Sequence, residues 1–114
     1  MHSTTPAPLT VAIEDHGPTA IVHCHGRLVY GHTDLLYLPV SNLFPTHKRI
    51  ILDLCHLTQM DSMGLGALIR LYAAAKSRGC TLELRNLGAK IRELLIMTNL
   101  LSVFGNIGEH NIRM

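Results

Sequence analysis

The sequence predicts an α/β fold: a single domain with a mixed sheet of four to five strands, an N-terminal antiparallel hairpin and helices packed on the sheet. From residue 33 onward, helical segments alternate with strand-like segments, a pattern typical of parallel strands joined by right-handed crossovers. The first two strand-like segments are separated only by the turn signal His16-Gly17-Pro18, and so short a connection favours an antiparallel hairpin. The length of 114 residues suits one compact domain.

Four segments have the residue pattern of strands. Residues 9–15 and 19–25 are rich in β-branched residues, and Gly26 is expected to end the second strand. Residues 49–55 form a nearly continuous apolar run, which is typical of a central strand buried on both faces. The fourth strand is predicted at residues 80–86.

Two amphipathic helices are predicted in the second half of the chain. The first is expected to begin near Ser62 and to end at Gly79, which is a candidate C-cap. Its apolar positions recur at the helical spacing of three and four residues and are Leu65, Leu68, Ile69, Tyr72 and Ala73. The second helix is predicted at residues 89–99.

A further helical segment, residues 33–44, precedes the central strand and contains Pro39. A proline inside a helix removes a backbone hydrogen bond and clashes with the preceding turn. This helix is therefore expected either to start late, near Leu38, or to be kinked.

The two ends of the chain are predicted to lie outside the main packing. Residues 1–8 are expected to be a flexible lead-in, followed by one domain at residues 9–114, in which residues 102–107 form a last short strand and the end is frayed. The N-terminus has no apolar signal-peptide core, and no apolar run approaches the roughly 18 to 20 residues of a membrane helix. A cytoplasmic protein without membrane insertion is expected.

Composition argues against several kinds of partner. The net charge of +2, the scattered basic residues and the absence of Trp disfavour nucleic acid. Three cysteines without CxxC spacing indicate reduced thiols in or near the core. The eight histidines show no HxxxH or HExxH motif, so we expect surface histidines, with His23 and His25 on one strand face, and no metal or cofactor.

The segment "MDSMGLGAL", residues 60–68, stands between the central strand, expected to end near Cys55, and the following helix. Asp61 or Ser62 can cap that helix, because a side-chain oxygen accepts a hydrogen bond from a free amide of the first turn. Functional loops of parallel sheets lie at this end of the strands. The junction is therefore the candidate functional site.

Two glycines at this helix start, Gly64 and Gly66, are costly for stability, since Gly costs about 1 kcal/mol relative to Ala inside a helix. We interpret them as making a flat, open surface beside Ser62 that another protein or an active site can approach. A phosphate on Ser62 would meet the unpaired amides and positive dipole end of the helix, so the fold would tolerate it.

Catalytic readings of the segment fit poorly. A serine nucleophile elbow needs glycine two residues before Ser62, where the chain has Met60, and no SxxK follows. The dinucleotide fingerprint has Ile69 at its third glycine position, and no GK[ST] phosphate loop is present. We therefore expect no enzyme activity, with a small nucleotide-binding protein as an alternative.

The chain from Ile50 to Phe104, and more weakly from Leu9 through "GRL", resembles the STAS domain of bacterial anti-sigma factor antagonists. The resemblance is carried by "LDL" at the end of a buried strand and by "DSMGLGAL" at the start of a helix, which fits the family's DSxGLGxL pattern. Met63 stands where many relatives carry a second serine, and Val29 stands where the family often has Asp.

The resemblance implies partner switching. An unphosphorylated antagonist binds an anti-sigma factor that is also a serine kinase, phosphorylation of the DSxG serine releases it, and a phosphatase resets it. By motif position Ser62 is the phosphoacceptor, and the partner-binding residues are Asp61, Ser62, Met63, Gly64 and Gly66. The alternative within the family is a docking subunit of a transport or stress-signalling complex that does not act through a sigma factor.

Overall fold

The computed structural model describes residues 8–98 and 111–113. Its elements follow in the order β1 (Leu9–His16), β2 (Thr19–Leu28), α1 (Asp34–Ser41), β3 (Arg49–Met60), α2 (Ser62–Ser77), β4 (Thr81–Arg85), α3 (Ala89–Met97) and β5 (Asn111–Arg113). The predicted single α/β domain and the predicted order of strands and helices are confirmed.

The strands form one sheet in the order β1-β2-β3-β4-β5. β1 and β2 are antiparallel, with Leu9 opposite Gly26, as the short connection predicted. β2, β3 and β4 are parallel, and α1 and α2 are the two crossovers between them. β5 pairs antiparallel with β4, with Arg113 opposite Glu83, so the sheet is mixed.

The core lies between one face of the sheet and the helices. Neighbouring strands contribute Val22, Leu52 and Leu84, which are aligned across the sheet and fully buried. The helical side of the core is made by Leu36 and Val40 of α1, Leu65, Leu68 and Leu71 of α2, and Ile91 and Leu95 of α3. The residues that follow Val22 and Leu52 along their strands, His23 and Asp53, lie on the opposite face of the sheet, since successive side chains of a strand point to opposite faces.

Both central strands are longer than the sequence predicted. β2 continues past Gly26 to Leu28, and β3 continues past Cys55 to Met60. Two register shifts, between His23 and His25 and between Gly26 and Arg27, each add one residue to β3 relative to β2. These bulges let the strands stay paired beyond the predicted ends. Because the side chains there are mostly exposed, the segment lacks the apolar pattern of a strand and was predicted as a loop.

α1 begins at Asp34 with Pro39 inside it, so the expected late start near Leu38 is wrong. The helix has only eight residues, and the amide that Pro39 lacks would serve a single intrahelical bond. Burial of Leu36 and Val40 against the core compensates for that loss.

α2 ends as predicted. Gly79 has a φ of +71°, the left-handed conformation that a side chain disfavours, and its N–H donates to the carbonyl of Lys76. The N–H of Cys80 donates to the carbonyl of Ala75 at 2.8 Å, which completes the helix end and leads directly into β4.

The three cysteines are free thiols, and Cys24 and Cys80 are buried as expected. Cys55 is exposed, contrary to the prediction, because it lies at the first register shift of β3. His23 and His25 share one face, on the other side from buried Cys24, as predicted.

His47 is an exception to the expected surface histidines, with 8% of its area exposed. At the C-terminus, residues 102–107 lie outside the described residues, so the strand predicted there is not covered. The prediction of a frayed C-terminal end is wrong for residues 111–113, which form β5.

Candidate functional site

The candidate site is the junction of β3 and α2 at the carboxyl end of the central strand. β3 ends at Met60 and α2 begins at Ser62, so Asp61 alone separates them. We call the group Asp61, Ser62, Met63, Gly64 and Gly66 the Ser62 surface. The sequence predicted a helix start near Ser62 with both glycines in it, and the structure places Ser62, Met63, Gly64 and Gly66 in the first turns of α2, directly after Asp61.

Asp61 is the N-cap of α2, which decides between the two caps that the sequence allowed. Its Oδ1 accepts a hydrogen bond from the N–H of Gly64 at 2.9 Å, and its Oδ2 accepts one from the N–H of Tyr30 at 2.9 Å. These two hydrogen bonds, of which the one from Tyr30 has the larger effect, lower the pKa of the Asp61 carboxyl below its ordinary value. The carboxylate thus joins the turn after β2 to the start of α2.

Ser62 is the first residue of α2 and is exposed to solvent. Within residues 8–98 its hydroxyl forms no hydrogen bond, so the oxygen is available to another molecule. Met63 beside it has 51% of its area exposed. A negatively charged group on Ser62 would lie at the positive end of the α2 dipole, where it is favourable.

Gly64 does not contribute to an open surface, contrary to the interpretation made from the sequence. It is buried, and a Cβ built on it would overlap the carbonyl oxygen of Leu28 at the end of β2. The absent side chain lets α2 approach the backbone of β2 closely. Gly64 is therefore required for internal packing.

Gly66 fits the sequence-based interpretation. A Cβ built there would meet no atom within 4 Å, and the residue is half-buried on the same side of α2 as Met63. The open space beside Gly66 is the part of the Ser62 surface where another protein can approach the helix backbone.

Tyr30 is a residue of this site that sequence reasoning missed. Its backbone is bonded to Asp61 and its side chain is 74% exposed, which places an exposed aromatic group beside the start of α2. The sequence signal was weak: an aromatic residue directly before Gly31, whose φ is +86° in the turn. Tyrosine is enriched among the residues that contribute most of the binding energy at protein interfaces.

The first helix also borders α2. The guanidinium of Arg70 lies 4.8 Å from the ring centre of Tyr37, a cation–π contact between α2 and α1. Leu35 and Leu38 of α1 are 42% and 55% exposed. The surface of α1 and the adjoining middle of α2 is thus mixed in character, with exposed apolar side chains and a cation.

A groove of about 490 Å³ lies on another side of the site, between the end of β3 and α3. It is lined by Thr58, Gln59, Met60, Lys90, Ile91, Glu93, Leu94 and Met97. Among the described residues, no group of three or more His, Cys, Asp or Glu could hold a metal ion. No helix in the described part of the chain is long and apolar enough to cross a membrane.

The family model of the STAS domain matches residues 10–112, and the chain therefore belongs to the STAS domain family. The match includes the sheet, the helices and the Ser62 surface. It bears out the resemblance found in the sequence.

Solved structures with the same fold come from several kinds of protein. An anti-sigma factor antagonist from Mycobacterium paratuberculosis has 22% identity and a TM-score of 0.72, with 90% of this chain and 88% of that chain covered. A Bacillus cell fate determinant in its phosphorylated form has 17% identity and a TM-score of 0.67, with 88% and 93% covered. A sulfate transporter family protein from Wolinella succinogenes has 22% identity and a TM-score of 0.69, with 77% and 72% covered.

Proposed function

We propose that this protein is an anti-sigma factor antagonist that acts by partner switching, with Ser62 as the phosphoacceptor. The observation that carries the proposal is the exposed, unbonded hydroxyl of Ser62 at the start of a helix capped by Asp61. The DSxGLGxL pattern around it and the similarity to an anti-sigma factor antagonist support the same function.

The partner supplies the chemistry in this scheme. The Ser62 hydroxyl oxygen attacks the γ-phosphorus of ATP held by the anti-sigma factor, the bond to the bridging oxygen breaks, ADP leaves and the hydroxyl proton passes to a base of the kinase. Asp61 is a poor candidate for that base, because hydrogen bonds from the N–H groups of Tyr30 and Gly64 lower the pKa of its carboxyl and so make it a weaker base. The antagonist is therefore a substrate and binding partner without catalytic activity of its own.

The switch follows from how differently the fold and the interface respond to a phosphate. A phosphoserine carries about −1.5 to −2 charges at neutral pH. At the start of α2 this charge is favourable for the helix, whereas a partner packed over Met63 and the open space at Gly66 would have to desolvate it. Phosphorylation would thus release the partner and leave the fold intact, and a serine phosphatase would restore binding.

The Bacillus determinant that shares this fold was solved in a phosphorylated form, which supports phosphorylation as a property compatible with the fold. A function in sigma-factor control would place the protein in the cytoplasm. The same reasoning assigns partner contact to Met63 and Gly66, with Asp61 and Gly64 holding the shape of the surface.

A second candidate function is a docking subunit of a transport or stress-signalling complex. It is favoured by the structural similarity to a sulfate transporter family protein, in which the shared fold belongs to a transport protein. In that case the Ser62 surface would bind its partner without a kinase or a sigma factor.

The test is to capture the partner with the purified chain and to assay phosphorylation. We expect capture of a small protein with serine kinase activity, ATP-dependent phosphate on Ser62 by mass spectrometry, and loss of the complex once the phosphate is present. Capture of transporter subunits without any phosphate transfer would replace this proposal with the second one.

A further inference from the structure

A chain of charged side chains crosses the sheet on the face opposite the helices, away from the Ser62 surface. His23 of β2 lies between Glu14 of β1 and Asp53 of β3. The Nε2 atom of His23 is 2.5 Å from Oε1 of Glu14, and its Nδ1 atom is 2.9 Å from Oδ2 of Asp53. We call these three residues the His23 clamp.

This geometry defines the protonation state of His23. An ionised carboxylate has no proton to give, so each ring nitrogen that faces one must carry hydrogen. With both nitrogens facing carboxylates, the geometry fits an imidazolium at His23. A neutral ring has only one N–H and would point a lone pair at either Glu14 or Asp53.

The second oxygen of each carboxylate, the one that does not face His23, also has hydrogen-bond partners. These partners hold both carboxylates in place. Oε2 of Glu14 lies 2.9 Å from Nε2 of His16. Oδ1 of Asp53 accepts hydrogen bonds from the N–H of Cys55 and from Nδ2 of Asn86, each at 3.1 Å. The clamp therefore links β1, β2 and β3 to the segment that follows β4.

Other titratable groups share this sheet face. On β2, His25 stacks on His56 of β3, with ring centres 4.7 Å apart, and neither is within bonding distance of the clamp carboxylates in the contacts that the structure gives. On β4, Arg85 is aligned with Asp53 in the register. A separate contact, from Nε2 of His47 to Oδ1 of Asp15 at 3.1 Å, also holds the end of β1.

The second half of β1 has little apolar burial to hold it. Leu9 is 2% exposed, but residues 12–16 are all exposed, including Ile13 at 44%. Besides its backbone pairing with β2, this half of the strand is held mainly by side-chain contacts of Glu14 and Asp15. Such strand ends open more readily than buried ones.

We propose that the His23 clamp is a proton-dependent fastening of the first strand: the imidazolium of His23 ties Glu14 of β1 to Asp53 of β3, and loss of its proton loosens residues 12–16 from the sheet. The fastening acts on β1 and is independent of phosphorylation at Ser62. It is a conformational feature of the fold rather than a second binding site.

The pH range of the clamp follows from its three groups. The hydrogen bond to Glu14, opposed by burial and reinforced by Asp53, raises the pKa of His23 above its ordinary value of 6.5. Its contribution is complete below pH 6.5 and is lost as the pH rises through the raised pKa.

The carboxylates set the acid limit. Hydrogen bonds from His16 and then His23 lower the pKa of Glu14 below 4.5. Burial raises the pKa of Asp53, but hydrogen bonds from Asn86, Cys55 and His23 outweigh it and leave the pKa below 3.8. Their contribution is complete above those ordinary values and is lost as the pH falls through the lowered pKa values, so β1 is fastened most firmly between the two limits.

The experiment measures two quantities on the full chain as the pH is raised from the weakly acidic to the alkaline range. Imidazole ¹⁵N chemical shifts report whether His23 carries one proton or two, and amide hydrogen exchange, corrected for the intrinsic rate, reports protection of residues 12–16. We expect a doubly protonated His23 at neutral pH. We also expect protection of residues 12–16 to fall by about two- to five-fold as His23 loses its proton, the size of effect typical of a cross-strand charge pair.

Two variants make the test specific. His23→Gln is expected to lower the protection of residues 12–16 already at neutral pH and to reduce its dependence on pH in this range, because the contacts of His16 with Glu14 and of His47 with Asp15 remain. The matched control is His25→Gln, which removes an exposed histidine from the same face of β2 and leaves both carboxylates in place. In this variant the protection of residues 12–16 should still fall as the pH is raised. The proposal is overturned if His23 carries only one proton at neutral pH. It is also overturned if the protection of residues 12–16 in His23→Gln depends on pH as strongly as in the wild type.

Discussion

The carboxylate of Asp61 bridges two backbone amides that are far apart in the sequence, with Oδ2 bound to the N–H of Tyr30 and Oδ1 bound to the N–H of Gly64, each at 2.9 Å. One side chain thus caps α2 and positions the turn that carries an exposed aromatic ring. The acid of the DSxG motif therefore shapes the surface around Ser62.

Asp61→Ala is expected to lower the melting temperature, because it leaves the amides of Tyr30 and Gly64 without their acceptor. Asp61→Asn should fall in between, since its one amide oxygen replaces only one of the two acceptors. The lowered pKa of Asp61 contributes stability above its ordinary value of 3.8, and this contribution is lost as the pH falls through the lowered pKa. The melting temperature of Asp61→Ala should therefore change less than that of the wild type as the pH is lowered through the acid range. An equal change in the two proteins would contradict this role.

Ser62→Asp is expected to keep the fold and weaken partner binding. A negative side chain at a helix N-terminus is stabilising by about 0.3 to 1 kcal/mol, whereas each 1.4 kcal/mol of desolvation at the interface costs tenfold in affinity. Ser62→Ala should bind constitutively and accept no phosphate. Calorimetry with the captured kinase and mass spectrometry after incubation with ATP check both variants.

Ser77→Asp is the matched control for this charge, because it adds a carboxylate at the opposite, exposed end of the same helix. It should leave binding unchanged and be slightly destabilising, since a negative charge is unfavourable at a helix C-terminus. Equal affinities of the Asp and Ala variants at Ser62, or phosphate on Thr58 in place of Ser62, would contradict the assignment.

Gly66→Leu is expected to damage partner binding more than folding. A Cβ at this position meets no atom within 4 Å, and helix propensity improves by most of about 1 kcal/mol. The new side chain would fill the space into which a partner has to fit. Chemical denaturation together with calorimetry separates the two effects, and unchanged affinity would remove Gly66 from the interface.

Gly64→Ala is expected to act in the opposite way. Its Cβ would overlap the carbonyl oxygen of Leu28, which forces α2 away from β2 at a cost of about 1 to 3 kcal/mol, as for other overpacked sites. Denaturant unfolding measures this loss directly. A stability equal to that of the wild type would mean that α2 can shift without cost.

Arg49→Met is expected to destabilise the fold by about 1 to 3 kcal/mol, between the values for exposed and for fully buried ion pairs, because the arginine side chain is 44% exposed. Glu83 is only 2% exposed, and Nε and Nη2 of Arg49 lie 2.8 and 2.7 Å from its Oε2. The control is Arg27→Met, which removes an exposed arginine from β2. Equal unfolding free energies for the two variants would show that the pair is not important for stability.

The order of the elements could be predicted from local patterns. Apolar periodicity located β1 to β4 and the helices α2 and α3, since each depends on which face of its own segment is buried. The short turn at Gly17 determined the hairpin, and the DSxGLGxL run identified the family and its candidate serine.

Tertiary contacts decided what local patterns could not. The ends of β2 and β3 depend on bulged pairing between exposed residues, and polar exposed segments look alike whether or not they are paired. Only the approach of α2 to Leu28 explains why Gly64 is buried and Gly66 is open, although both are glycines in the same turn.

The two hydrogen-bonded networks show the same limit. Asp61 and Tyr30 are 31 residues apart, and His23 and Asp53 are 30 apart, so only folding brings either pair together. The sequence by itself determined the family, the strand and helix order and the exposed serine, because these depend on neighbours along the chain. The shape of the Ser62 surface and the contacts of His23 with two carboxylates were decided by tertiary structure alone, because hydrogen bonds between distant residues leave no periodic trace in a single sequence.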